Sequence, residues 1–103
     1  MPLVLHGASR VSQKYVRLAN RCGAELEKTQ GISDSLLKKA IKFGIRKVNT
    51  DTDLRLAFNA KVREIVKKDK KVFDPRKILG PARDEMQKAV EQRIAVCGSR
   101  GKA

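Results

Sequence analysis

The sequence predicts an α/β fold with two parallel strands that belong to a larger sheet. A short apolar run at 3–5 is typical of a buried strand, and 45–49 is a second strand candidate; each leads through a polar segment into an amphipathic helix. Helical crossovers between two strands make those strands parallel. Because sheets have about 4–6 strands, two parallel strands indicate a piece of a larger domain.

The composition indicates a globular protein with an aliphatic core. Apolar residues make up 41% of the 103 residues, aromatic residues only 4%, and tryptophan is absent. No apolar run approaches the ~20 residues that a membrane span requires, and the N-terminus lacks the pattern of a secretory signal. The two cysteines, Cys22 and Cys97, are too far apart for a CxxC motif. We therefore expect a cytoplasmic protein that does not associate with membranes.

The first half of the chain predicts a strand and two helices. The strand at 3–5 ends in a turn of small residues at 6–9, and a helix follows. Gly23 lies where the C-cap of this helix is expected. Ser33 or Asp34 can cap a second helix, which Gly44 ends. Residues at helical spacing mark the apolar faces of the two helices: Val11, Tyr15, Val16, Leu18, Ala19 and Cys22, then Leu36, Leu37, Ala40 and Ile41.

The second half predicts a strand and three helical segments. The strand at 45–49 runs into 50–53, which offers several N-caps for a helix that continues to about Lys68. A short helical turn then ends at Gly80, and Pro81 suits the first position of a last helix that Gly98 ends. The predicted inward-facing residues are Leu54, Phe58, Val62 and Ile65 in the long helix, and Met86, Val90, Ile94 and Cys97 in the last one.

Both polar segments that follow the strands are candidate ligand sites, because ligands bind α/β folds at the carboxyl ends of strands. Segment 6–9 has an imidazole and a small-residue turn whose amides can bind an anion. Segment 49–53 has five short polar side chains that can bind sugar hydroxyls, at a helix start that favours phosphate. Alternatively, segment 6–9 is an ordinary tight turn and segment 49–53 only caps a helix.

The charge balance raises the question of nucleic acid. Lysine and arginine total 24 against 11 acidic residues, which gives a net charge of +13. These cations are spread over nearly every helix and no aromatic residues alternate with them, so a solvated basic face accounts for 67–71. We expect no nucleic-acid partner; a small basic nucleic-acid-binding module is the alternative.

Four segments together resemble the C-terminal part of class II fructose-bisphosphate aldolases. They are PLVLHGAS at 2–9, KAIKFGIRKVNTDTDLRLAF at 39–58, FDPRKILGPAR at 73–83 and GSRGKA at 98–103. The resemblance implies that residues 1–103 are a C-terminal fragment of a TIM (β/α)8 barrel, with strands seven and eight and their helices. The implied activity is the zinc-dependent, reversible cleavage of fructose 1,6-bisphosphate to dihydroxyacetone phosphate and glyceraldehyde 3-phosphate, a step of glycolysis and gluconeogenesis.

The resemblance also implies the roles of three residues after the first strand. His6 matches one of three zinc-ligating histidines, and Gly7 and Ser9 match the loop that binds the phosphate of dihydroxyacetone phosphate. A monovalent cation near this phosphate loop is a further expectation. The other two histidines, and the aspartate that acts as general acid and base, would lie upstream of this chain.

Four more residues match the family at the second strand end. Asn49 matches the residue that contacts the enediolate, and Asp51 matches one that holds substrate hydroxyls. Thr52 matches a second phosphate contact, and Arg55 an arginine near the other phosphate of the bisphosphate.

The last implied site residues are Asp74 and Arg76, which match residues that reach into the site of a neighbouring subunit. The resemblance therefore predicts a dimer or tetramer of identical subunits in the parent enzyme, acting on a phosphorylated sugar. With one zinc ligand and no general acid or base, the chain by itself is expected to be inactive. A catalytically inactive fragment that pairs with an aldolase subunit is a further alternative.

Overall fold

The computed structural model describes residues 2–5, 11–27 and 31–102, and within them two strands and four helices. Strands β1 and β2 pair in parallel, with Leu5 opposite Val48. This confirms the predicted α/β order and the parallel pairing. None of the described helices has the length and apolar character needed to cross a membrane. The elements are β1 (Leu3–Leu5), α1 (Gln13–Arg21), α2 (Asp34–Lys42), β2 (Ile45–Val48), α3 (Thr52–Lys68) and α4 (Pro75–Val96).

The ends of α1 and α2 lie where their sequence signals predict. The side chain of Ser33 accepts a hydrogen bond from the backbone N–H of Leu36 at 3.2 Å, so Ser33 rather than Asp34 caps α2. Gly23 and Gly44 follow the two helices with φ of +100° and +121°. This left-handed backbone carries no steric penalty at glycine, which explains why both helices stop there.

The last helix differs from its prediction. Residues Pro75–Val96 form one continuous helix, so the expected break at Gly80 and Pro81 is wrong. Pro81 removes one backbone donor and crowds the carbonyl of the preceding turn. Ala82, directly after it, is fully buried in the folded chain. The packing of α4 along α3 therefore outweighs the local penalty of the proline.

The core is made mainly of alanines where the helices meet. Since alanine has the smallest buried side chain, it lets helices approach closely, and the larger apolar residues flank the contact. On α4 the buried face carries Ala82, Ala89 and Arg93, whereas Val90 and Ile94 are 36% and 42% exposed. The prediction that Val90 and Ile94 face inward is therefore wrong. The buried alanines are Ala19, Ala24, Ala57, Ala60, Ala82 and Ala89.

The helices place three of their ends at one edge of the sheet, which we call the carboxyl edge: the side where β1 ends at Leu5 and β2 at Val48. Helices α1 and α3 each follow a strand, so they begin at this edge. The short connection 69–74 turns the chain back, and α4 runs antiparallel to α3. Arg93, near the end of α4, therefore lies against Asp53, near the start of α3.

Tyr15 joins α1 to α4 and provides a test of their packing. Its hydroxyl donates to Glu85 Oε1 at 2.8 Å, and burial, with a further contribution from Glu85, raises the pKa of Tyr15 from 10.0 to about 12. Since the sequence has a single tyrosine, ultraviolet absorbance of the tyrosinate reports on this residue alone. We expect a midpoint near pH 12 in the folded chain and near the ordinary value of 10.0 in denaturant.

The sign of the linked stability follows from the raised pKa. The contribution of Tyr15 to the free energy of unfolding is fully present below pH 10 and is lost as the pH rises towards about 12. In the Glu85→Gln control, the midpoint falls but stays above 10.0, because desolvation is the largest cause of the shift. A midpoint of 10.0 in the folded wild-type chain would contradict the described packing.

The exposed apolar side chains lead to a second prediction. Phe43 and Phe73 are 78% and 89% exposed, and Leu3 and Leu36 are more than half exposed. Because such surface is normally covered, we expect the isolated chain to bind a hydrophobic dye and to self-associate in sedimentation experiments. Phe43→Ser and Phe73→Ser should each lower the dye signal. A monomer with one sharp unfolding transition and no dye binding would be the contrary result.

Candidate functional site

The carboxyl edge brings the ends of β1 and β2 together. The backbone N–H of Asn49 donates to the carbonyl of Leu5 at 3.5 Å. The last residue of β1 therefore lies beside the start of segment 49–53. The predicted site residues His6, Gly7 and Ser9 themselves lie outside the described residues.

Asp51 begins α3 through its backbone rather than its side chain. Its carbonyl accepts from the N–H groups of Leu54 and Arg55 at 3.0 and 3.2 Å, while its carboxylate makes no capping bond. Helix capping therefore does not account for the carboxylate, which leaves a ligand role open for it. Thr52, the first residue of α3, is partly buried beside it.

Arg55 is the partner of Asp51 on the same helix face. Its Nη2 lies 3.0 Å from Asp51 Oδ2, and the two side chains are 72% and 71% exposed. Because an exposed pair of this kind contributes only about 0–1 kcal/mol, either group can exchange its partner for a ligand at small cost. The pair presents a carboxylate for hydroxyl groups and a guanidinium for an anion.

A buried ionic network, which sequence reasoning missed, lies directly behind this segment. Asp53 is only 4% exposed; its Oδ1 accepts from the N–H of Ser12 at 3.3 Å, and its Oδ2 lies 3.7 Å from Arg93 Nε. Arg93 Nη2 donates to Asp34 Oδ1 at 2.6 Å. The sequence pattern indicated Asp34 only as a candidate cap, and Asp53 as a candidate cap or as one of five polar side chains for a sugar ligand. The spacing of Arg93 from Ala82 and Ala89 on one helical face is the signal that could have identified it.

A groove of about 430 Å³ lies between β2 and the end of α4. Apolar side chains of β2, α3 and α4 line it, among them Ile45, Val48, Leu54 and Ile94, and Arg93 also reaches it. Within the described part of the chain, the buried Nη1 of Arg93 has no hydrogen-bond partner. The groove thus presents exposed apolar surface beside the residue that forms the buried ionic network.

Asp74 and Arg76 lie far from the carboxyl edge of their own chain. Helix α3, with 17 residues and a length of about 25 Å, separates them from Asp51. They bind each other, with Arg76 Nε and Nη2 at 3.1 and 2.9 Å from the two carboxylate oxygens. This pairing lowers the pKa of the Asp74 carboxyl and raises the pKa of the Arg76 guanidinium.

Metal binding cannot rest on the described residues by themselves. Across 2–5, 11–27 and 31–102, no three His, Cys, Asp or Glu side chains are grouped as metal ligands. A catalytic zinc ion takes three protein ligands as a rule. The described residues therefore do not form a zinc site by themselves.

Comparison with known proteins gives consistent matches over nearly the whole chain. The sequence profile of the family described as "Fructose-bisphosphate aldolase class-II" matches residues 1–102. A fructose-bisphosphate aldolase of Thermus caldophilus is 53% identical over 102 residues, which are 99% of this chain and 33% of that protein. One of Treponema pallidum (strain Nichols) is 47% identical over 103 residues, 99% of this chain and 31% of that protein. The chain thus spans about a third of the length of these relatives.

Proposed function

This chain belongs to the class-II fructose-bisphosphate aldolase family, and we propose that it forms the last two strands, seven and eight, of an aldolase TIM barrel. The family implies the barrel fold, and a two-stranded parallel α/β unit is consistent with part of one. The open apolar groove supports a larger body that covers it. In this proposal residues 1–103 are part of one domain.

The proposed activity of the complete protein is the reversible cleavage of fructose 1,6-bisphosphate to dihydroxyacetone phosphate and glyceraldehyde 3-phosphate. The observation that carries the proposal is the hydrogen bond from Asn49 to Leu5, which joins the end of β1 to segment 49–53 at the carboxyl edge. A phosphorylated sugar needs both hydroxyl and phosphate contacts, and this edge offers short polar side chains beside a helix start.

We assign the roles at this edge by residue. Asn49 and Asp51 orient oxygen atoms of the substrate, and Thr52, at the start of α3, holds a phosphate group. Gly7 and Ser9 bind phosphate through the loop after β1, where a monovalent cation is also proposed. Arg55 turns from Asp51 towards the second phosphate.

Zinc is the proposed metal, and when bound it would polarise the ketone of the substrate. His6 is the ligand that this chain would supply, at the end of β1. The remaining ligands and the general acid and base belong to the other part of the barrel.

Asp74 and Arg76 are proposed to act in the site of a neighbouring subunit. About 25 Å of helix separates them from the carboxyl edge of their own chain, so a role in substrate binding requires a second copy. The side chain of Arg76 is 90% exposed and available for such a contact. The proposed assembly is a cytoplasmic dimer or tetramer of identical subunits.

The basic segment 67–71 gives no support to the alternative of a nucleic-acid-binding module. Lys67 contacts the backbone carbonyl of Arg21, and Lys68 pairs with Glu64 at 3.1 Å. These lysines thus take part in contacts within the chain.

The proposal predicts that the 103-residue chain has no aldolase activity of its own. In this proposal the chain supplies a single histidine ligand to zinc. The groups that complete the zinc site and transfer the proton belong to the rest of the barrel. Joining the chain to the preceding two thirds of the Thermus caldophilus aldolase, in place of the 102 matching residues, should restore zinc-dependent cleavage of fructose 1,6-bisphosphate. Turnover by the isolated chain, or an inactive chimera that folds and holds zinc, would count against the proposal.

Arg76→Ala in that chimera tests the contact between subunits. A guanidinium that binds phosphate forms charge-assisted hydrogen bonds, which contribute about 1.5–3 kcal/mol to the binding free energy. We therefore expect kcat/KM for fructose 1,6-bisphosphate to fall about ten- to hundredfold, with zinc content and melting temperature unchanged.

Arg83→Ala is the matched control for this substitution. Arg83 lies on the same helix, is 78% exposed and pairs only weakly with Asp84, at 3.4 Å, so its loss should leave kcat/KM unaltered. If Arg76→Ala stays within about threefold of the parent, less than ~0.7 kcal/mol of transition-state stabilisation is lost, and the phosphate role is wrong.

A further inference from the structure

We propose that Asp53 is a positioning residue: its buried carboxylate, paired with Arg93, holds Ser12, directly before α1, against the segment 49–53 after β2. The proposal rests on the proposed function, since segment 49–53 belongs to the proposed substrate site. It concerns a residue that does not touch the substrate itself.

The carboxylate connects the start of α1 directly to the start of α3. Ser12 lies immediately before α1, and its backbone N–H donates to Asp53 Oδ1 at 3.3 Å. The last residue of β1 is held by the hydrogen bond from Asn49 to Leu5. Leu5 and Ser12 are therefore both bound to the stretch from Asn49 to Asp53.

Arg93 determines where this carboxylate lies. Its Nε is 3.7 Å from Asp53 Oδ2, and its Nη2 is 2.6 Å from Asp34 Oδ1. Asp53 in the first turn of α3 and Arg93 in the last turn of α4 also match the charges that those helix ends favour. Because a buried charge that loses its partner is strongly unfavourable, the carboxylate is confined to this geometry.

Burial separates the role of Asp53 from that of Asp51. The Asp51 side chain is 71% exposed and can reach a ligand, whereas Asp53 is 4% exposed and is occupied by Ser12 and Arg93. Asp53 can therefore influence a bound sugar phosphate only through the backbone that it holds in place.

The test compares Asp53→Ala with Glu85→Gln. Both substitutions remove a carboxylate that bonds to the first turn of α1 or the residue before it, but Glu85 accepts from the side chain of Tyr15, whereas Asp53 accepts from the backbone N–H of Ser12. Where Asp53→Ala does not fold, Asp53→Asn replaces it, since it keeps the size of the side chain and weakens its pairing with Arg93.

In the chimera, KM and kcat are measured separately. Displacement of binding groups by about 1 Å can reduce rate by about a hundredfold, so we expect the Asp53 variant to raise KM for fructose 1,6-bisphosphate and to lower kcat/KM by at least about tenfold. Glu85→Gln should stay within about threefold. A loss of folded protein alone lowers the apparent kcat and leaves KM unchanged, which would overturn the proposal.

Amide hydrogen exchange of the 103-residue chain gives a readout that needs no activity. The Asp53 variant should speed exchange at Ser12 and Asn49, and Glu85→Gln should not. Unchanged exchange at both amides overturns the positioning role. An inactive wild-type chimera, by contrast, counts against the proposed function, and exchange then still decides whether Asp53 holds Ser12 against segment 49–53.

Discussion

The arrangement of this chain depends on the ion pairs that the guanidinium of Arg93 forms with two carboxylates. The guanidinium lies 2.6 Å from the carboxylate of Asp34 on α2 and 3.7 Å from that of Asp53 on α3. Removing such charges from water costs several kcal/mol per ion, which is offset only when the geometry is good. A shift of α4 by a fraction of a helical turn would break both contacts. The pair of carboxylates therefore fixes where α4 ends against the starts of α2 and α3.

The rest of the core supplies little that could replace this constraint. The helices meet mainly through alanines, and among the described residues Leu37 is the one large side chain that is fully buried. Burying an alanine removes little apolar area from water, at about 25 cal/mol per Å². The larger aliphatic side chains, Val90 and Ile94, stay partly exposed. Such a distribution is expected when the larger apolar side chains of a segment pack against another part of the same domain. The relatives are about three times as long as this chain.

Local signals in the sequence were sufficient for the strands and for most helix ends. Gly23, Gly44 and Ser33 act within one turn of the chain, so their effects can be predicted from the residues alone. Pro81 was misleading because the packing around Ala82 outweighs its local preference. Arg93 could not be identified in this way, since an arginine on a helix is normally solvated. Its burial depends on Asp34, which lies 59 positions away in the chain.

The predicted site residues also differ in whether a local sequence rule could place them. Asn49 and Asp51 follow a strand, and the rule that ligands bind at strand ends places them without any knowledge of packing. Asp74 and Arg76 follow no strand, lie about 25 Å of helix away and bind each other in the described chain. One sugar bisphosphate cannot touch both groups of the same chain across a whole helix. A shared substrate therefore requires that the second group comes from another copy, and in such an assembly Asp74 holds the Arg76 guanidinium in place until a phosphate replaces it.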